Sequence, residues 1–201
     1  MTPTTHLLAS WVIAGSFKLE RRDRNLVTWC GLLPDLDGLG LAVDLANDLL
    51  GRPETAYYHV YHHNLLHGVA AALLLPALAA LGARRRWMVF ALGLVVVHLH
   101  FVCDLLGSRG PALTDLWSVP YLAPFSPRWT WLWHGQWRLD GWQNFVITAA
   151  LLAITLWRAV RNGWSPVSLF NQRADAAVVR VLRGWWKSVG GPNPDKETRG
   201  K

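Results

Sequence analysis

Charged side chains are scarce in this chain. Asp, Glu, Lys and Arg make up 16% of its 201 residues, against about 25% in soluble domains. With 52% apolar residues beside it, that deficit excludes an ordinary solvated globule as the whole account. Cysteine is scarcer still. Cys30 and Cys103 each lie inside an apolar run. The absence of paired spacing excludes a disulfide framework and a thiolate zinc site. The start, MTPTTHLLAS, lacks the basic region that opens a signal peptide and reads as mature sequence. No internal repeat or low-complexity domain is present. The length suits one domain and is too short for two comfortable ones.

What the chain has in excess is tryptophan, thirteen residues of it. Indole concentrates where one end of a side chain is apolar and the other wet, as at a membrane interface. The net charge is +7. Its basic residues sit beside apolar runs, which points to membrane topology and lipid contact and away from a nucleic-acid partner.

Along the chain, residues 3–17 form a short apolar segment for which Thr4 or Thr5 is the expected cap. At about 1.5 Å per residue it is too short to cross about 30 Å of hydrocarbon. The basic turn KLERRDR follows, then a second short apolar piece, NLVTWCGLL, ending at Pro34. PDLDGLG has the composition of a turn. Residues 41–50 read as a short helix with Asp44 and Asp48 on a solvated face. The stretch YHVYHHNLLHG (58–68) carries His59, His62, His63 and His67 and leads into an apolar run over 65–83, with Pro76 as a kink. A second run, 87–106, contains His98, His100 and Asp104 in its last third. Residues 107–142 hold four prolines (Pro111, Pro120, Pro124 and Pro127), which exclude a continuous helix, and six tryptophans, which suit an interface. A third long run covers 144–160. Beyond Arg161, Val178, Val181, Leu182, Trp185, Trp186 and Val189 recur at helical spacing opposite Arg180, Arg183 and Lys187, the pattern of a basic helix lying on a membrane surface. The end, GGPNPDKETRGK, is expected to be disordered.

The expected fold is therefore all-α: an integral membrane protein with about three long helices and two or more short or half-spanning ones. It has a membrane domain over 1–160 and an amphipathic helix with a tail over 161–201. If the segments cross in alternation, KLERRDR, Arg84–Arg86 and the chain from Arg158 onward share one side and collect sixteen of the twenty Lys and Arg residues. The positive-inside rule makes that side cytoplasmic. His6, Asp35, Asp37, His59 to His67, His98, His100 and Asp104 then gather at or near the extracytoplasmic face.

Ionisable groups inside an apolar span are costly unless paired, so they mark function by default. His63 and His67 are four apart and share a face on a helix, and His100 and Asp104 have the same spacing. His62 joins His67 only if it lies at or before the helix start. Asp35 and Asp37 sit in a turn from which a carboxylate reaches into a site. Imidazole with carboxylate suits zinc, and also manganese or iron. The bland alternatives are hydrogen-bonded structural histidines, which best describes His98 and His134, and a Pro-Asp turn that is only a turn. HHxxxH, PDxD and an intramembrane HxxxD are far more specific together than singly.

Thr5–His6, LPDLD at 33–37, HHNLLHG at 62–68 and HLHFVCD at 98–104 resemble, in that order, the motifs of the bacterial membrane-bound metal-dependent hydrolases, the YdjM-like, LexA-regulated inner-membrane group. The resemblance covers about residues 1–125. The family pattern His-Arg-Gly-x-Thr-His-Ser falls on His62 and His67, with His63 in place of Arg and Gly68 in place of Ser, a departure that leaves His62 and His63 both as candidate ligands. Its His-x-x-x-Asp falls on His100 and Asp104, and its Pro-Asp-x-Asp on Asp35 and Asp37. The group is distantly similar to zinc-dependent phospholipase C and related nucleases.

The resemblance implies a multi-pass protein of the bacterial inner membrane that hydrolyses a phosphoester, lipid or lipid-linked, through a metal-activated water. His6, Asp35, His62, His67, His100 and Asp104 are the expected ligands of a divalent ion, zinc first. Asp37 is a further ligand or general base, with Asp35 beside it in the catalytic set. His63 and His98 are expected to orient ligands. The 107–142 segment is expected to shape the pocket or to act as a lid, with Arg109 or Arg128 available to an anionic group. Two rivals remain: a haem-binding membrane protein using paired histidines, and a non-catalytic membrane regulatory or interaction protein.

Overall fold

The computed structural model describes residues 1–62, 64–126 and 128–192. His63, Pro127 and the end of the tail, on which sequence expectations fell, lie outside the described residues. The fold is helical, as expected: α1 (Pro3–Ala14), α2 (Arg21–Leu32), α3 (Gly40–Leu49), α4 (Tyr57–Tyr61), α5 (Val69–Leu81), α6 (Arg86–Gly107), α7 (Trp142–Asn162) and α8 (Gln172–Ser188). A two-residue antiparallel ladder, β1 (Val119–Pro120) with β2 (Thr130–Trp131), lies between α6 and α7. By compactness the chain divides into a unit of Met1–Val146 and a second from Ile147 onward, so α7 starts in the first unit and continues into the second.

In the first unit α1, α2, α5 and α6 pack around Val27, Cys30, Ala72, Val89, Val97 and Phe101, all buried. Close approach is bought with small residues. A Cβ on Gly31 of α2 would come within 1.8 Å of Ser10 Oγ of α1, and one on Gly93 of α6 within 2.8 Å of the Pro76 ring of α5. Pro76 is accommodated inside α5, where it packs on α6 at that glycine.

Several local expectations change. The cap of α1 is Thr2, whose hydroxyl accepts from the Thr5 N–H, with Pro3 pre-setting the first turn. PDLDGLG is not an open turn but a 3-10 helix, Leu33–Leu39, that joins α2 to α3. Pro34, the second residue of that segment, has no N–H to donate, and the tighter winding lets the chain continue. Among the described residues the run Arg21–Leu49 is thus one of three long and apolar enough to cross a membrane, with Arg86–Gly107 and Trp142–Asn162. The run expected over 65–83 shortens to the thirteen residues of α5. Asp44 is not an idle surface charge: it accepts from Thr55 Oγ1 and from the backbone N–H groups of Tyr57 and Tyr58, which fixes the start of α4. No residue of α3 is buried, and Leu41, Val43, Leu45 and Leu49 face outward, as do Leu73, Leu74, Leu78 and Leu81 of α5. Bands of that kind suit hydrocarbon as solvent.

The unit is polarised. At one end the buried Asp23 accepts from the backbone N–H groups of Arg84 and Arg85 at 3.0 and 2.9 Å, Arg84 pairs with Glu20, and Arg85 donates to the Lys18 carbonyl. The two basic turns therefore meet. The first turn of α1, the 3-10 helix, the approach to α5 and the last turns of α6 lie at the other end. They carry His6, Asp35, Asp37, His67, His100 and Asp104.

In the second unit Asn171 caps α8 by accepting from the N–H groups of Arg173 and Ala174. Asp175 takes the N–H and hydroxyl of Ser165, and Arg183 donates to the Val160 carbonyl near the end of α7. Val181, Trp185 and Val189 stay exposed, so α8 keeps an apolar stripe toward its surroundings.

Candidate metal centre

The centre is assembled from five places in the chain. Asp104, buried in the last turns of α6, is its hub. Its Oδ1 is 3.1 Å from His6 Nε2 and accepts from Ser108 Oγ at 3.1 Å, and the Met1 amino group lies against the same oxygen. Its Oδ2 is 3.1 Å from His100 Nε2 and 3.3 Å from His67 Nε2. Asp35 Oδ1 is 3.7 Å from His100 Nε2, and Asp35 Oδ2 is buried without a hydrogen-bond partner among the described residues. The rings of His6 and His100 stack with centroids 3.7 Å apart.

Behind this set sits Asp37. One of its oxygens is 2.7 Å from His62 Nδ1; the other is 2.9 Å from His67 Nδ1 and accepts from the Leu66 N–H at 3.0 Å. Two groups of potential ligands result: His6, Asp35, His100 and Asp104, and Asp37, His62 and His67. They touch where His67 meets Asp104.

Hydrogen-bond chemistry fixes the ring tautomers. His100 Nδ1 faces the Gly31 carbonyl at 2.8 Å, which can only accept, so that nitrogen bears hydrogen. His67 Nδ1 faces the Asp37 carboxylate and bears hydrogen for the same reason. Neutral rings then direct bare lone pairs from both Nε2 atoms toward each other at 3.0 Å, with Asp104 Oδ2 alongside. Three lone pairs in one buried place repel unless a cation lies among them. For the protein alone that cation is a proton on His67. Burial lowers its pKa, but the Asp104 and Asp37 carboxylates outweigh burial and push it up from 6.5 to about 9. A divalent ion answers the same demand with the donor types zinc prefers, and a carboxylate behind a ligating imidazole is its usual support. The residues fit a metal.

The histidine geometry departs from the expected helix face. α4 ends at Tyr61 and α5 begins at Val69, so neither His62 nor His67 is helical. They converge on Asp37 across a turn, and the expected helical face does not include His67. His100 and Asp104 do share a face, as expected. His98, expected to orient a ligand, instead bonds the Leu94 carbonyl and the Tyr121 hydroxyl. His59 and His134 are exposed. Both oxygens of Asp37 hold imidazoles, an arrangement that orients more than it abstracts protons.

Sequence reasoning overlooked Ser108, which the i, i+4 step from Asp104 would have flagged. It also overlooked the Gly31 carbonyl, which has no side-chain signal. Tyr58, stacked on His62 with centroids 4.7 Å apart, and Trp117, edge-on to it at 5.4 Å, were missed as well.

No curated protein and no solved structure matches the chain. The family model described as YdjM inner membrane protein matches residues 1–182, from the first turn of α1 into α8. The chain is a membrane protein with a His/Asp cluster able to hold a metal ion, and it belongs to the YdjM inner membrane protein family.

Proposed function

We propose that this protein is a metal-dependent hydrolase of a phosphoester, lipid or lipid-linked, in the bacterial inner membrane. The observation that carries the reading is the meeting of His67 Nε2, His100 Nε2 and Asp104 Oδ2 within 3.0–3.3 Å in a buried place. His6, Asp35, His62, His67, His100 and Asp104 would hold a divalent ion, zinc first and manganese or iron next, and the ion would supply a Lewis acid that activates water. Asp37 keeps the Nδ1 hydrogens of His62 and His67 in place, so that both rings present Nε2. Asp35, whose Oδ2 is buried and without a hydrogen-bond partner among the described residues, is the catalytic carboxylate of the set.

The polarity of the first unit supports a multi-pass topology with the cluster toward the extracytoplasmic face. The basic turns gather at the opposite end, and the positive-inside rule places them in the cytoplasm. A site at interface depth favours a lipid or lipid-linked substrate. Haem fits poorly: the stacked His6 and His100 rings and the 3.0 Å approach of the two Nε2 atoms leave no slot for a macrocycle.

Elemental analysis of detergent-purified protein tests the reading. Wild type should carry one or two equivalents of metal, the count reporting how many groups are filled, and His67→Ala and Asp104→Ala should each lose most of it. Equal, negligible metal in all three proteins sinks the hydrolase and leaves the regulatory alternative.

A further inference from the structure

A cavity of about 520 Å³ in the first unit is lined by one candidate ligand, His62, and by Ser108, which is hydrogen-bonded to the candidate ligand Asp104. Arg109 and Arg138 line the same cavity. The chain brings these two together by a parallel bridge: the Arg109 N–H donates to the Trp137 carbonyl at 3.2 Å, and the Leu139 N–H to the Arg109 carbonyl at 2.9 Å. Two guanidinium groups on one wall repel each other unless something anionic lies near them. Arg138 has a partner, the exposed Asp140, at 2.6 Å. Arg109 has no carboxylate in ion-pair range among the described residues. Its Nε donates to the Gln136 carbonyl at 3.0 Å and one terminal nitrogen to the Ala112 carbonyl at 2.8 Å. These two bonds hold the fork rigid and leave three of its five donors for a ligand. Arg128, the other sequence candidate, is exposed and does not line the cavity. Tyr58 and Trp117 supply apolar wall beside the cationic one.

We infer that Arg109, with Arg138 second, seats the phosphoryl oxygens of the ligand that reaches the metal centre through this cavity. The inference rests on the proposed phosphoester chemistry and deepens it. A preorganised guanidinium fork matches phosphate geometry bidentately. It lines the same cavity as His62, so an anion held there shares the cavity with a candidate ligand of the metal centre. Asp140 competes with the ligand for Arg138, so removing it should strengthen binding.

The test is calorimetric titration of full-length, metal-loaded protein in detergent with inorganic phosphate and, separately, with dihexanoyl phosphatidic acid. Metal content is measured on every sample. Arg109→Gln should weaken whichever probe binds by about tenfold or more, the loss expected for charge-assisted hydrogen bonds, with metal content unchanged. Arg109→Lys should recover only part, because the charge returns without the fork. Arg138→Gln should weaken binding and Asp140→Asn should tighten it, each a few-fold, as for exposed charges. These two substitutions are exposed and keep the test open if the Arg109 variants misfold. A preference for phosphate points to a small soluble phosphoester, and a preference for phosphatidic acid to a lipid headgroup; both support the seat. Failure of wild type to bind either probe overturns it, as do equal affinities in wild type and Arg109→Gln with only a lower melting temperature in the variant. Arg109-dependent phosphate binding without any phosphoester turnover sinks the hydrolase alone. Metal-dependent turnover with a KM indifferent to Arg109→Gln sinks the seat alone.

Discussion

Replacing Asp37 by Asn exchanges one carboxylate oxygen for an NH2 group in a place where two imidazole Nδ1–H groups and one backbone N–H all seek acceptors. The amide oxygen can serve His67 and Leu66, or it can flip and serve His62. Either way one ring meets a donor. That ring must move its hydrogen to Nε2, which closes the lone pair it offers to a metal. The surviving bonds also fall from charge-assisted to neutral. Loss of a carboxylate behind a ligating histidine typically costs 10–100-fold in metal affinity, about 1.4–2.8 kcal/mol. The assay is zinc titration against a chromophoric chelator on metal-stripped protein in detergent, with Asp23→Asn as control. Asp23 is a buried carboxylate holding two backbone N–H groups at the opposite end of the same unit. It should lower thermal stability and leave zinc affinity alone. Asp37→Asn with zinc affinity within threefold of wild type would falsify the orienting role, and with it the placement of the ion on the Nε2 side of His67.

Proton linkage at His67 gives a second outcome. With its folded pKa raised from 6.5 to about 9, its contribution to the stability of metal-free protein is fully present below pH 6.5 and is lost as pH rises through 9. Melting temperatures of stripped protein should therefore fall across that window, and zinc, which displaces the proton, should flatten the profile; a flat profile for stripped protein contradicts the assignment. Gly31→Ala drives a methyl into Ser10 and shifts the carbonyl that holds His100. It should destabilise by about 1–3 kcal/mol and weaken metal binding together, read by melting and chelator titration. Gly93→Ala meets Pro76 far from the cluster. It should cost a similar amount in melting and leave zinc affinity within a few-fold of wild type.

Composition and residue spacing made the membrane setting and a His/Asp cluster legible without coordinates. Long apolar runs with few charges can be buried only in hydrocarbon or in each other. Histidine and aspartate inside such runs had to be paired, so their presence announced a cluster. Periodicity placed His100 with Asp104, because four residues on a helix always bring two side chains to one face. It misled for His67, which precedes the start of α5 at Val69 and comes from a turn. Turn composition misjudged PDLDGLG, because a 3-10 segment accepts the same proline and glycines. Arg109 was flagged as a candidate for an anion, but its neighbour Arg138 was not, since a parallel bridge between residues 109 and 138 leaves no mark in either segment alone. Only the tertiary structure decided which atoms face which. Asp37 lies behind two imidazoles because the 3-10 helix turns it there. His100 carries its hydrogen on Nδ1 because the packing of α2 on α6 brings the Gly31 carbonyl within reach. Such contacts join residues far apart in the chain through backbone groups that every residue has, so no pattern of side chains could have announced them.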